Sequence, residues 1–254
     1  MFSLNGKRGI ILGIANEHSI AAGCAAALKN AGAELLITYL NDKAKPYVAA
    51  VAGTLDTDFL LPCDVRVPGS LESVFDAAKA RWGGIDFVLH SIAYAPKEDL
   101  LGRVTDCSEA GFLEAMAISC HSFIRCARLS EPLMAKGGTL LTVTFYGSER
   151  VVPRYNLMGP VKAALESSMR VLACELGEQG VRVHALSPGP IKTRAASGLD
   201  RFDALLEETK ARTPSHKLVE IEDVGALAAF LCSDKARALT GAVHYVDYGL
   251  NVLA

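Results

Sequence analysis

A doubly wound α/β fold, about seven parallel strands with helices on both faces of the sheet, is what this sequence predicts. Three observations carry that expectation. Short apolar runs bounded by Gly, Pro or Asp recur along the chain, as strands covered on both faces require. Longer helical segments lie between them, and alternation of strand and helix implies right-handed crossovers and a parallel sheet. A glycine-led stretch, Gly13 to Ala21, joins the first run to the first helical segment.

The elements follow in order. Strand 9–12 ends at Gly13, and the helix expected over 20–31 stops at Gly32. Strands 34–39 and 58–61 precede helices over 43–52 and 69–82. Strand 85–90 leads to a long helix over 109–135, and strand 139–144 to a helix over 155–177 with Gly180 as its stop. Strand 181–186, a helix over 222–233 and strand 242–246 complete the series. One segment breaks the alternation: about 35 residues separate strand 181–186 from helix 222–233, with a helical pattern over 199–211. A long insertion at the carboxyl end of such a strand lies where ligands of this fold bind, so it reads as a lid. No linker, repeat or low-complexity tract interrupts the chain, and a single domain over 1–254 is expected.

Bulk composition narrows the function. Half of the 254 residues are apolar and 21% are charged, as in a soluble globular protein with a full core. A net charge of −2 and a pI near 6.3 give no basic footprint for nucleic acid or an anionic membrane. The first residues lack a secretory apolar region, and no run reaches the roughly 20 apolar residues of a membrane span. A cytoplasmic location is expected. Seven scattered cysteines without CxxC or Cys–His spacing read as buried reduced thiols, and no metal site is expected.

The chemistry concentrates late in the chain. Tyr155 and Lys162 stand seven residues apart, about two turns, which puts both on one face of a helix. An ammonium beside a phenol favours the phenolate, and such a phenol can hydrogen-bond or protonate an oxygen that gains negative charge. The spacing alone fits an ordinary exposed Tyr–Lys pair as well. At the first loop, Gly13 allows close backbone approach to a pyrophosphate, and Ser19 can cap the helix or bond a phosphate. The later glycines of GxGxxG are missing, so a plain strand–turn–helix connection fits equally. After the second strand, Leu40 and Asn41 offer neither a ribose-gripping carboxylate nor an arginine for a 2′-phosphate, which leans towards NADH over NADPH. Lys43 reads as a solvated residue at a helix start. Asp64, after the third strand, could accept from an adenine amino group or cap a turn.

With these residues in place the chain resembles the short-chain dehydrogenase/reductase superfamily, and within it the bacterial enoyl-[acyl-carrier-protein] reductases. The likeness runs from Gly6-Lys7-Arg8 to Val246-Asp247. It rests on Gly13 to Ala21, Tyr39-Leu40-Asn41-Asp42, Cys63-Asp64-Val65, His90-Ser91-Ile92-Ala93-Tyr94-Ala95-Pro96 and Gly147-Ser148-Glu149-Arg150. Tyr155-Asn156-Leu157-Met158-Gly159, the stretch from Gly189 to Gly198 and Ile221-Glu222-Asp223-Val224-Gly225 extend it. The resemblance implies a Rossmann-like sheet and hydride transfer from NADH to the β-carbon of a trans-2-enoyl thioester. Tyr155 would hydrogen-bond the enolate oxygen and Lys162 would hold the nicotinamide ribose. The cofactor would lie against Gly13, Ser19, Ile20, Leu40, Asp64, Val65, Ser91, Ile92, Ala93, Ile191 and Thr193. Ala95 would meet the thioester, and Leu100, Met158 and Phe202 would wall the acyl chain beneath a flap at about 193–213. The partner implied is an acyl carrier protein, and the assembly a homotetramer.

Several positions depart from the family pattern. Phe145 stands where a second tyrosine is common, and the adjacent Tyr146 is expected on the opposite strand face. Pro160 falls inside the expected catalytic helix, Pro188 where a small residue is usual, and Tyr248 where glycine is usual. Two other functions fit. A carbonyl-reducing relative would use a hydroxyl at Thr142 or Thr144, and a non-catalytic paralogue would bind NADH without turnover.

Overall fold

The computed structural model describes residues 2–193 and 202–253. Seven strands form one parallel sheet in the order β3-β2-β1-β4-β5-β6-β7. They are β1 (Arg8–Leu12), β2 (Glu34–Tyr39), β3 (Leu60–Pro62), β4 (Phe87–His90), β5 (Gly138–Val143), β6 (Val181–Pro188) and β7 (Val243–Val246). The helices are α1 (Ile20–Asn30), α2 (Lys45–Thr54), α3 (Ser70–Trp82), α4 (Lys97–Leu101), α5 (Glu109–Met116), α6 (Ser122–Ser130), α7 (Met158–Glu175), α8 (Phe202–Arg212) and α9 (Ile221–Cys232). The predicted fold class is therefore observed, with all seven strands near their expected places. Chain order reverses between β1 and β4, which opens a crevice at the carboxyl ends of those strands.

Alternation along each strand supplies both halves of the core. Ile11, Ile37, Leu89 and Leu141 face α1, α2 and α9, where Leu28, Val48 and Ala228 meet them. Ile10, Leu12, Val88 and Leu140 face α3, α6 and α7, where Val74, Phe123, Leu165 and Met169 meet them. Helices α1 and α9 touch backbone to backbone: a Cβ on Gly225 would lie 2.4 Å from the Gly23 carbonyl oxygen.

Three expectations are corrected. The helix expected over 109–135 is interrupted by a π-helical turn, Ala117–His121, between α5 and α6, and it ends in a 3-10 turn, Glu131–Leu133. Within that π turn the buried Ser119 hydroxyl accepts from the Tyr94 amide at 2.9 Å and donates to the Tyr94 carbonyl at 3.0 Å. An extra residue per turn inserts that side chain against the neighbouring loop, an effect that periodicity does not register. The helix expected over 155–177 starts at Met158, so Tyr155 precedes it. Pro160 consequently falls in the first turn of α7, where its missing N–H has no intrahelical partner to lose. Among the thiols, Cys174 is exposed and Cys107 partly so, while the other five are buried.

Buried imidazoles make stability depend on pH. The Nε2 of His244 on β7 lies 3.1 Å from the Nδ1 of His184 on β6, and His90 on β4 is wholly enclosed. Burial, then the charge of His244, lowers His184 from the ordinary 6.5 to about 4; burial lowers His90 to about 3. Because the unfolded chain binds these protons first, stability is fully present above about pH 6.5 and declines as the pH falls towards 4. Urea midpoints at pH 7 and pH 5 should show His184 alone removing on the order of 1–2 kcal/mol of stability. A His184→Leu, His244→Phe variant should lose less over that interval. An equal loss in the variant would refute the assignment.

Candidate active site

The loops after the strands enclose a cleft of about 1820 Å³. At its floor the chain leaves β1 through Gly13, whose φ of +104° is open to glycine. A Cβ there would lie 2.1 Å from the Ser91 carbonyl oxygen, so the loops after β1 and β4 touch through this residue. Ser19 is the residue before α1, but its hydroxyl does not cap that helix. It accepts from the amides of Ala15 and Asn16, both at 3.0 Å, and so holds the loop in shape. The first turn of α1 is left without a side-chain cap and presents its N–H groups and its positive dipole end. Such an N-terminus, beside a glycine that admits close approach, fits the pyrophosphate of a dinucleotide.

Around this floor lie Ile20, the half-exposed Leu40, Asp64, Val65, Ser91, Ile92, Ala93, Ile191 and Thr193, all lining the same cleft. Lys43 lines it too, two residues before α2, where a purely solvated residue was expected. The Asp64 carboxylate accepts from the Arg66 guanidinium, at 2.7 Å in its shortest contact, and from the Arg66 amide. These hydrogen bonds hold Asp64 below the usual carboxylate range. Any donor from a ligand would share that carboxylate with Arg66.

The reactive wall is built by the exit of β5, the turn before α7, and α7 itself. Arg154 and Asn156 flank Tyr155 with φ of +68° and +34°, so the turn is left-handed on both sides of the tyrosine. The Asn156 side chain donates to the carbonyl oxygens of Leu100 and Gly102, pinning the turn to the end of α4. The Tyr155 ring packs on Phe145 with centroids 4.8 Å apart, and Tyr146 lines the cleft beside them. An opposite-face position for Tyr146 was expected, but the strand has ended and a 3-10 turn begins at Tyr146.

Charge at this wall also differs from expectation. Burial, then the charge of Glu166, raises the Tyr155 phenol above its ordinary 10, where an ammonium neighbour was expected to lower it. Lys162 is 5% exposed; its Nζ donates to the Val143 carbonyl at 2.7 Å, and burial pushes it down to about 8. A phenol that keeps its proton is suited to donate a hydrogen bond at neutral pH, and a buried amine near 8 responds strongly to neighbouring charge. Glu166 lies one turn beyond Lys162, is 2% exposed, and accepts from the Thr144 hydroxyl at 2.6 Å. Sequence reasoning missed Glu166, although its spacing from Lys162 puts it on the same buried face.

The apolar end of the cleft contains Ala95, Leu100 and Met158, which also pack with Leu157, Val161 and Tyr155. These residues are at once core and cleft wall. The Phe202 side chain and residues 194–201 lie outside the described residues. From α8, Ala204, Leu205, Glu208 and Arg212 line the cleft, a contribution that sequence reasoning left unassigned within the flap. Of the two hydroxyls expected for carbonyl polarisation, Thr142 is wholly buried and bonds His90 at 3.1 Å, while Thr144 lines the cleft with its hydroxyl donated to Glu166. Tyr248 has φ of +52°, which fits its place at a position where glycine is usual. Pro188 is buried at the end of β6.

Comparison with known proteins agrees with this geometry. The family described as enoyl-(acyl carrier protein) reductase matches residues 13–251. Enoyl-[acyl-carrier-protein] reductase [NADH] 2 of Rhizobium meliloti is 47% identical over 98% of this chain and 93% of its own. The crystal structure of the NADH enoyl-[acyl-carrier-protein] reductase of Aquifex aeolicus superposes with a TM-score of 0.96 at 44% identity, covering 99% of this chain and 98% of that one. The Anaplasma phagocytophilum reductase, solved in complex with NAD, gives 0.96 at 42% identity over 100% and 97% of the two chains.

Proposed function

The chain belongs to the enoyl-[acyl-carrier-protein] reductase family, and on that premise we propose that it reduces the double bond of a trans-2-enoyl thioester with NADH. One observation carries the reading: Tyr155, Lys162, the Gly13 loop and the apolar residues Leu100 and Met158 line a single cleft. NADH, when bound, supplies the hydride, and NADPH is the poorer donor. Gly13 and the uncapped start of α1 receive the pyrophosphate, with Ser19 shaping the loop. Leu40, Asp64 and Val65 flank the adenosine end; Ser91, Ile92, Ala93, Ile191 and Thr193 flank the remainder. Lys162 binds the ribose hydroxyls next to the reacting carbon.

As the β-carbon is reduced, negative charge builds on the thioester oxygen. The Tyr155 hydroxyl donates to that oxygen, an interaction stronger in the transition state than in the substrate. Ala95 borders the thioester, while Leu100 and Met158 exclude water along the acyl chain. The thioester is carried on acyl carrier protein, and the chain acts as one NAD-binding domain over 1–254 with its flap at about 193–213.

A cytoplasmic homotetramer completes the proposal. The exposed Phe112 and Leu113 on α5 and Val171 on α7 supply apolar surface for subunit contact, which light scattering would measure. Among the described residues no helix is long and apolar enough to cross a membrane, and no cluster suited to a metal is present.

The decisive assay follows NADH oxidation with a trans-2-enoyl thioester and, separately, with a 3-oxoacyl thioester. Turnover of the first and little of the second is expected. Turnover of the 3-oxoacyl substrate alone would establish a carbonyl reductase, and NADH binding without any turnover would leave the non-catalytic paralogue.

A further inference from the structure

Two side chains of α7, four residues apart, grip consecutive residues at the exit of β5. Lys162 donates to the Val143 carbonyl at 2.7 Å, and Glu166 accepts from the Thr144 hydroxyl at 2.6 Å. Thr144 is itself fixed, since its amide donates to the Leu186 carbonyl at 2.8 Å. Phe145, the next residue, carries the ring on which Tyr155 rests. Glu166 is not part of the cleft lining, so it acts through these neighbours and not on a ligand.

We propose that Glu166 is a positioning residue of the reaction: its carboxylate, anchored on Thr144, keeps Lys162 in the ammonium form and clamps α7 to the end of β5. This rests on the assignment of Lys162 to the cofactor ribose. The need for such a group follows from enclosure. An amine that is 5% exposed has lost most of its solvation, and an opposite charge one helical turn away offsets part of that loss. The charge of Glu166 does act on Lys162 in this sense, against the larger effect of burial. The titratable groups around the pair include two further carboxylates, Glu149 and Asp247, which reach it only through Tyr245. The others are the neutral His90 from β4, the Cys120 thiol from the π turn, Tyr155 from the turn before α7, and Tyr245 from β7.

The test compares wild type with Glu166→Gln, Glu166→Asp and Thr144→Val across pH 6 to 10. The dissociation constant for NADH is read by fluorescence without substrate, and kcat/KM with a trans-2-enoyl thioester. Glutamine keeps an acceptor for Thr144 and removes only the charge, so the alkaline loss of NADH affinity and of kcat/KM should begin about one pH unit lower. Glu166→Asp should restore most of the wild-type limb, and Thr144→Val, which removes the anchor and keeps the charge, should displace it less than Glu166→Gln does. A Glu166→Gln limb that coincides with wild type overturns the proposal, whatever happens to the maximum rate. Should Glu166→Gln fail to fold, Glu166→Asn takes its place as the uncharged variant, and a limb that coincides with wild type overturns the proposal. Lys162→Met separates the two readings. If it binds NADH and turns over normally, the role given to Lys162 fails; if it is inactive while Glu166→Gln matches wild type, only the role of Glu166 fails.

Discussion

Tyr155→Phe is expected to lower kcat with a trans-2-enoyl thioester by about 10²–10³-fold, the range for losing one preorganised donor to a developing oxyanion. The substitution removes a hydroxyl and little else. The ring keeps its packing on Phe145, and the left-handed turn around it is set by Arg154 and Asn156 and by the bonds of Asn156 to α4. NADH affinity should therefore stay within about twofold of wild type, since the donor serves the substrate oxygen. Burial raises the phenol above its ordinary value, so the group that donates is the neutral phenol across the physiological range. A mutant with wild-type kcat would move the oxyanion role elsewhere in the cleft, with Tyr146 the next candidate on the same wall.

Gly13→Ala should be nearly as damaging, by a different route. At φ of +104° an alanine is strained, at a cost of about 1–3 kcal/mol. Its Cβ would also stand 2.1 Å from the Ser91 carbonyl oxygen, an overlap that backbone can relieve only by moving the loop after β1 away from the loop after β4. Ser91 is tied to β1 through its amide, which donates to the Leu12 carbonyl at 2.9 Å, so neither side yields easily. For a chain of this size each kcal/mol lowers Tm by roughly 2–4 °C, and a fall of about 6 °C or more is expected. NADH affinity should drop at least about tenfold, equivalent to 1.4 kcal/mol, because the same movement displaces the start of α1. Calorimetry and a fluorescence titration check the two effects. An alanine variant with unchanged NADH affinity would show that the pyrophosphate does not approach this residue.

Much of the fold was legible because burial on both faces leaves a direct trace in the chain. Strands such as Leu35-Leu36-Ile37 are apolar at every position since one face meets α1 and the other α3, and the glycines at 13, 32 and 180 mark turns with positive φ. The π turn at Ala117–His121 left no such trace: it goes with bonds from Ser119 to both backbone groups of Tyr94, a residue 25 positions away. Tyr155 was placed on a helix by its spacing from Lys162, yet the chain at Arg154 and Asn156 takes left-handed conformations that a periodicity argument does not detect. Ser19 was expected to cap the helix or bond a phosphate, and its hydroxyl instead accepts from two amides of its own loop.

What the residues determined by themselves is the alternating α/β order, the resemblance that named the chemistry, and the set Gly13, Tyr155 and Lys162. Those features depend on local periodicity and on side-chain chemistry, which are properties of the chain as written. Only the tertiary structure decided how the charges are arranged. The Lys162 amine is lowered by burial and supported by Glu166, Tyr155 is raised and not lowered, and Thr142 and Thr144 are committed to His90 and Glu166. Solvation and the nearest opposite charge set a proton affinity, and both are fixed by segments far apart in sequence that meet only when the sheet and α7 pack together.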